Sequence, residues 1–258
     1  MVKAIFFDVD GTLLSHTNNC VPKSTRTALE RLSEKGILRI VATGRSMMEL
    51  DILPVKDIVF DGYITLNGQL CLDAQRNTVA EKPITGVSRD CLLRLFHEKV
   101  IPIVLVEKER LYINFINHQV ELAQQAISTP LPEIGVYTGN EIYLAVAYLP
   151  KAQEGSLLSQ LPGCKITRWN DYGVDIVVDS GGKVAGIKEY LNMIHVDKEE
   201  TMAFGDGEND MDMLKFVQYG VAMGNAEECV KESADYITDS VDDGGIMNAL
   251  NVYNLLED

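Results

Sequence analysis

A short apolar run ends in two carboxylates near the start of the chain, and this stretch limits the possible folds more than any other. Ala4, Ile5, Phe6 and Phe7 are followed by Asp8, Val9, Asp10, Gly11 and Thr12. Four consecutive apolar residues predict a strand buried on both faces, the kind found inside a parallel sheet. Side chains alternate along an extended chain, so Asp8 and Asp10 share a side if the strand geometry continues through Val9. Gly11 then permits a sharp turn. Two acids side by side at the end of a buried strand repel unless a cation or a proton intervenes, and the pair therefore suggests a metal site.

The chain beyond repeats the pattern of strand, helix and strand. Ser24 is a candidate cap for a helix running to Glu34, with Ala28, Leu29 and Leu32 on one face and Gly36 at its end. Ile37 to Ala42 predicts a second strand, stopping at Thr43, Gly44 and Arg45. The intervening helix favours parallel pairing of the two strands. A helical segment from Ser46 to Leu53 precedes Pro54, and Tyr63 to Leu66 predicts a third strand that ends in Asn67 and Gly68.

The character changes between about Thr78 and Asp179, where closely spaced strands predict antiparallel pairing. Expected there are strands near Val79 and at Ile103–Val106, 111–115, 141–148, 165–169 and 174–178. Helices are expected around 89–99, 120–127 and 155–161. The first pattern resumes at Lys183 with a helix from Val184 to Met193, the strand 201–204 and the cluster Gly205, Asp206, Gly207, Glu208, Asn209 and Asp210. A helix at 211–216 and a strand at 220–223 follow. The expected architecture is α/β: a Rossmann-like parallel-sheet core from residues 1–79 and 182–258, with an α+β unit inserted at 80–181.

The polar, glycine-associated clusters (Asp8 and Asp10, Thr43, Asn67, Asp206 and Asp210) all fall at carboxyl ends of predicted strands. In an open parallel sheet that is one edge, where ligands bind. Mg2+ takes hard oxygen ligands and is often shared with substrate phosphate, so Asp8, Asp10 and Asp206 are candidate ligands. The four aspartates, set against Lys183 and Arg45, leave two negative charges that one Mg2+ neutralises. Arg45 either contacts phosphate or caps or salt-bridges near the following helix.

Composition excludes several other roles. Of 258 residues 46% are hydrophobic and 24% charged, as in ordinary globular domains, and the formal net charge is −15. No Lys/Arg run offers a track for a phosphate backbone, so nucleic acid is not an expected partner. The first apolar run is too short for a secretory signal, and no stretch is long enough to span a membrane. Five scattered cysteines, an odd number, suggest reduced and mostly buried thiols in a cytoplasmic protein. The four histidines form no zinc-like cluster.

The motifs together resemble the haloacid dehalogenase superfamily of aspartate-nucleophile phosphatases: Asp8-Val9-Asp10-Gly11-Thr12, then Thr43, then Lys183, then Gly205 to Asp210, in that order. The insertion resembles the type IIB cap, and Asn67-Gly68 with 220–226 and 234–245 resembles the Cof-type branch. The resemblance implies that Asp8 attacks phosphorus and that Asp10 is the acid and base. Thr43, Gly44, Arg45 and Asn209 would contact phosphate, and Lys183 would balance charge. Asp206, Asp8 and the Asp10 carbonyl would hold Mg2+, with Asp210 supporting them. The expected reaction is hydrolysis of small phosphate monoesters such as sugar phosphates or pyridoxal phosphate-like compounds, with the cap selecting the organic group. A phosphomutase and a phospho-aspartate signalling or binding protein are the alternatives. The expected partner is a small phosphorylated metabolite, with no nucleic acid and no membrane, for a monomer or small homo-oligomer. Trp169, Asp171 and Tyr172 lie in the insertion, where an aromatic is more often core than ligand.

Overall fold

All four side chains of Ala4–Phe7 are buried, as an interior strand with neighbours on both edges requires. The computed structural model describes residues 1–126, 129–168 and 170–257. Its strands are, in chain order, β1 (Ala4–Phe7), β2 (Leu38–Ala42), β3 (Gly62–Thr65), β4 (Leu70–Asp73), β5 (Thr78–Glu81), β6 (Ile103–Val106) and β7 (Leu111–Ile113). They continue with β8 (Leu144–Tyr148), β9 (Cys164–Arg168), β10 (Gly173–Val178), β11 (Thr201–Gly205), β12 (Tyr219–Ala222) and β13 (Tyr236–Ile237). The chain divides into two compact units, Met1–Ala80 with Gly182–Asp258, and Glu81–Gly181.

An eight-stranded sheet in the order β13-β12-β11-β1-β2-β3-β4-β5 organises the first unit. The strands from β13 to β3 run parallel. From β1 the chain moves outward through β2 to β3, and from β11 it moves outward the other way. The order therefore reverses between β1 and β11, which opens a crevice at their carboxyl ends. In register, Phe7 lies opposite both Phe204 and Val41, so the residues after these three strands emerge together.

The helix Lys23–Glu34 buries Thr25, Ala28, Leu29 and Leu32, one stripe at helical spacing. Ser24 does not cap it. The helix starts at Lys23, two residues before a Ser24-capped helix would, because Pro22 has φ −55° and its carbonyl already accepts from Arg26 N–H at 3.0 Å. Gly36, at φ +71°, closes the other end: its N–H reaches the Ser33 carbonyl and Ile37 N–H reaches that of Leu32. That bond pair is the Schellman closure, and it requires a left-handed residue at this position.

Strand β4 is absent from the sequence expectation. It pairs antiparallel with β3 through a turn in which Leu66, Asn67 and Gly68 all have positive φ, at 53°, 54° and 82°. Leu66 is an unusual residue for that region, and only Asn67 and Gly68 carry a turn signal. The predicted strand 111–115 stops at Ile113, because Asn114 Oδ1 accepts from Ile103 N–H at 2.8 Å and ends the ladder.

The second unit is a five-stranded antiparallel sheet, β7-β6-β8-β10-β9, with the helices Gly86–Glu98, His118–Ala126 and Glu154–Leu158. Leu92, Phe96, Leu105, Ala145 and Ile176 lie in its core. The expected ends of one helix at Ile127 and one strand at Trp169 lie outside the described residues. The cysteines depart from expectation: Cys71 and Cys164 are buried, Cys91 is half-buried, and Cys20 and Cys229 are exposed. Among the described residues no helix is long and apolar enough to cross a membrane.

Candidate active site

The helix Lys183–Ile194 buries Lys183, Gly186, Ile187, Tyr190 and Leu191, so a lysine occupies the first position of the core-facing stripe. Its ammonium donates to Asp8 Oδ1 at 2.6 Å and to Asp210 Oδ1 at 2.6 Å. Asp210 is fully buried, and its Oδ2 accepts the N–H groups of Asp206 and Gly207 at 3.1 and 3.0 Å. That carboxylate braces both Lys183 and the loop that carries Asp206. One oxygen each of Asp8, Asp206 and Asp210 lies within 4.8 Å of the others.

Burial pushes the Asp8 carboxyl well above its usual value, and Asp210 adds to the shift against the opposing pull of Lys183. Burial likewise raises Asp206 to about 7, opposed by the Thr12 hydroxyl and aided by Asp210. Burial alone would lower the Lys183 pKa, but the charges of Asp210 and Asp8 reverse this and hold the ammonium above its ordinary range. With all four groups ionised, two negative charges remain uncompensated in a buried place. A divalent cation fits such a set of hard oxygen donors.

Two side chains orient Asp206. Thr12 Oγ1 donates to its Oδ1 at 2.9 Å and Asn225 Nδ2 to its Oδ2 at 3.2 Å. Asn225 also donates to the Gly11 carbonyl at 2.9 Å, tying the β1 loop to the loop after β12. A Cβ on Gly11, which has φ +76°, would lie 2.1 Å from Asp206 Oδ2. The turn thus requires glycine twice over, for its backbone angle and for the space occupied by Asp206.

The Asp10 side chain does not join the three-carboxylate group. Arg45 holds it as a fork, Nε to Oδ2 at 2.9 Å and Nη2 to Oδ1 at 3.1 Å, while Nη1 donates to Glu49 Oε1 at 3.1 Å. Exposed His16 stands 3.6 Å from Asp10 Oδ1. Thr43 Oγ1 accepts the Arg45 N–H at 3.1 Å, which leaves its own proton for another acceptor. The strained turn after β3 is pinned onto the same loop: Asn67 N–H donates to the Thr43 carbonyl and Leu66 N–H to that of Arg45. Asn209 Nδ2 donates to Asn67 Oδ1 at 3.2 Å, and a Cβ on Gly44 would lie 3.2 Å from the same Asn67 oxygen.

The structure therefore brings the buried Asp8, Asp210 and Lys183 and the half-buried Asp206 into one cluster. Asp10 and Arg45 form a neighbouring pair, and Thr43, Gly44, Asn67 and Asn209 form a third, linked group. Sequence reasoning missed the parts played by Thr12, Asn225 and Glu49. The available signals were Thr12 within the first motif, Asn225 in the loop after a predicted strand, and Ser46 three residues before Glu49 in the pattern of a capping box.

The family profile of haloacid dehalogenase-like hydrolases matches residues 5–250. A Bacillus subtilis (strain 168) protein named "Putative phosphatase YkrA" is 31% identical over 258 residues, covering 99% of each chain. Among solved structures, the phosphatase BT1666 from Bacteroides thetaiotaomicron is 31% identical with a TM-score of 0.91, covering 99% of this chain and 96% of that one. The HAD subclass IIB sugar phosphatase BT4131 is 30% identical with a TM-score of 0.84, over 98% of this chain and 100% of the other.

Proposed function

This chain belongs to the haloacid dehalogenase-like hydrolases, and from that premise we propose that this phosphatase cleaves small phosphate monoesters, sugar phosphates foremost, in a Mg2+-dependent reaction. The observation that carries the reading is the buried set of Asp8, Lys183 and Asp210 with Asp206 beside it, at the carboxyl edge where the sheet order reverses. Similarity to a sugar phosphatase along nearly the whole chain supports the substrate class.

Lys183 engages Asp8 Oδ1 and leaves Oδ2 as the attacking oxygen. That oxygen bonds to phosphorus as the ester P–O bond breaks, and Asp10 gives its proton to the departing alkoxide. In the second half Asp10 takes a proton from water as the water oxygen attacks the aspartyl-phosphate, releasing phosphate and restoring Asp8. One carboxylate serves both halves because the proton moves in opposite directions. Thr43, Gly44 and Asn209 cradle the phosphoryl oxygens, and Lys183 offsets the charge developing on them. Asp8, Asp206 and the Asp10 carbonyl would hold a Mg2+ ion, which would supply the positive charge that phosphoryl transfer requires in so acidic a site. The unit Glu81–Gly181 selects the organic group.

The test is release of inorganic phosphate by the purified protein from a panel of sugar phosphates, nucleotides and pyridoxal phosphate, with Mg2+ and with EDTA. Release from at least one sugar phosphate, abolished by EDTA and restored by Mg2+, is expected. A phosphorylated isomer in place of free phosphate would favour a mutase, and silence across the panel would overturn hydrolysis.

A further inference from the structure

Arg45 makes contacts that a simple phosphate ligand would not need. Its guanidinium grips both Asp10 oxygens, at 2.9 and 3.1 Å, and its remaining edge meets Glu49 Oε1 at 3.1 Å. Glu49 is fixed in turn, since its Oε2 accepts the Ser46 N–H at 2.8 Å and the Ser46 hydroxyl at 2.9 Å. The Arg45 main chain is tied at both ends, N–H to Thr43 Oγ1 and carbonyl to the Leu66 N–H. Arg45 and Asp10 side chains are 19% and 29% exposed, so the pair is shielded while the carboxylate keeps an open side. His16, 64% exposed, has its Nε2 3.6 Å from Asp10 Oδ1, and at that distance it does not fix the carboxylate plane.

We infer that Arg45 and Glu49 are positioning residues for Asp10: Ser46 and Glu49 lock the guanidinium, and the guanidinium sets the plane and reach of the carboxylate that moves the proton. A two-bond fork fixes orientation as a single bond cannot, and a lysine cannot replace it. To bind substrate phosphate directly, the same guanidinium would have to leave two carboxylates. The inference rests on the phosphatase reading above, because it concerns the step in which Asp10 protonates the leaving oxygen. As the P–O bond breaks, the electron pair stays on that oxygen and the Asp10 proton neutralises it.

Leaving groups that differ in their need for that proton discriminate between the two roles. Phenyl phosphate and 4-nitrophenyl phosphate have similar size and the same phosphoryl group, but nitrophenolate departs with little help. Arg45→Ala and Arg45→Lys are expected to lower kcat/KM for phenyl phosphate about tenfold more than for 4-nitrophenyl phosphate. Glu49→Gln should show the same bias more weakly, and Arg45→Ala/Glu49→Gln should lose no more than Arg45→Ala alone, since both act through one carboxylate. Equal losses on the two esters, as removal of a phosphate ligand gives, or additive losses in the double variant, overturn the inference and leave the phosphatase reading intact. A wild-type protein that hydrolyses neither ester and no member of the sugar-phosphate panel overturns both. Arg45→Lys retains the charge, so its ester bias separates the fork from general electrostatics and from failure to fold.

Discussion

Lys183 Nζ stands 2.6 Å from Asp8 Oδ1, although 175 residues separate the two in sequence. Both side chains are nearly inaccessible, at 1% and 9% exposure, and Asp210 completes the arrangement from the lysine's other side. A buried ion pair stabilises little in net terms, because desolvation offsets much of the attraction, but removing one partner leaves an uncompensated buried charge.

Lys183→Ala should therefore damage stability as well as catalysis. It is expected to cost about 3–5 kcal/mol near neutral pH, as breaking a buried pair does. Urea denaturation monitored by circular dichroism measures this. The deficit should shrink in acid, where Asp8, already pushed upward by burial, takes up a proton and no longer needs the ammonium. An unchanged midpoint at neutral pH would contradict the buried geometry.

Asp8→Asn keeps the shape of the side chain and removes the proposed nucleophile. Phosphate release should fall by about four orders of magnitude or more, as when a covalent nucleophile is lost elsewhere. Acid quenching during turnover should trap phosphoenzyme with the wild type and none with the variant. Near-normal turnover by the variant would exclude an aspartyl-phosphate on this residue.

The metal-free protein should lose stability as pH rises from about 3.8 to about 7, owing to Asp206. Its carboxyl ordinarily titrates near 3.8 and is raised by burial to about 7. Between those values the folded state holds a proton that the unfolded chain has released, so unfolding becomes easier with increasing pH. A Mg2+ ion bound at Asp206 would compete with that proton, and its stabilising effect should be larger at the upper end of the window. Thermal melts in EDTA and in Mg2+ at both pH values check this. An equal Mg2+ effect at both would place the ion away from Asp206.

Gly11→Ala tests the turn that packs against Asp206. The added Cβ meets Asp206 Oδ2 at 2.1 Å and sits at φ +76°. A stability loss of about 1 kcal/mol is expected from the backbone alone. Displacement of Asp206 should in addition raise the Mg2+ concentration needed for half-maximal activity. A folded variant with unaltered Mg2+ dependence would show that the loop relaxes without moving Asp206.

Short-range order was legible in the sequence where local chemistry acts alone. The run Ala4–Phe7 declared a buried strand, and Gly36 declared a helix end, because one apolar stretch or one left-handed residue suffices. Parallel pairing followed from the helix between two strands, and the carboxyl edge followed from polar residues at successive strand ends. Tertiary structure alone decided the partners. Asp10 and Arg45 are both polar residues at strand ends, and nothing local distinguishes a guanidinium that binds phosphate from one that grips Asp10. Strand β4 escaped notice because its turn depends on Leu66 adopting a left-handed backbone, held by N–H bonds to the neighbouring loop. The sequence thus determined which residues reach the edge of the sheet. Which carboxylate meets Lys183, which meets Arg45 and which stands ready for a cation depend on contacts between segments far apart in the chain, and those exist only once the strands lie side by side.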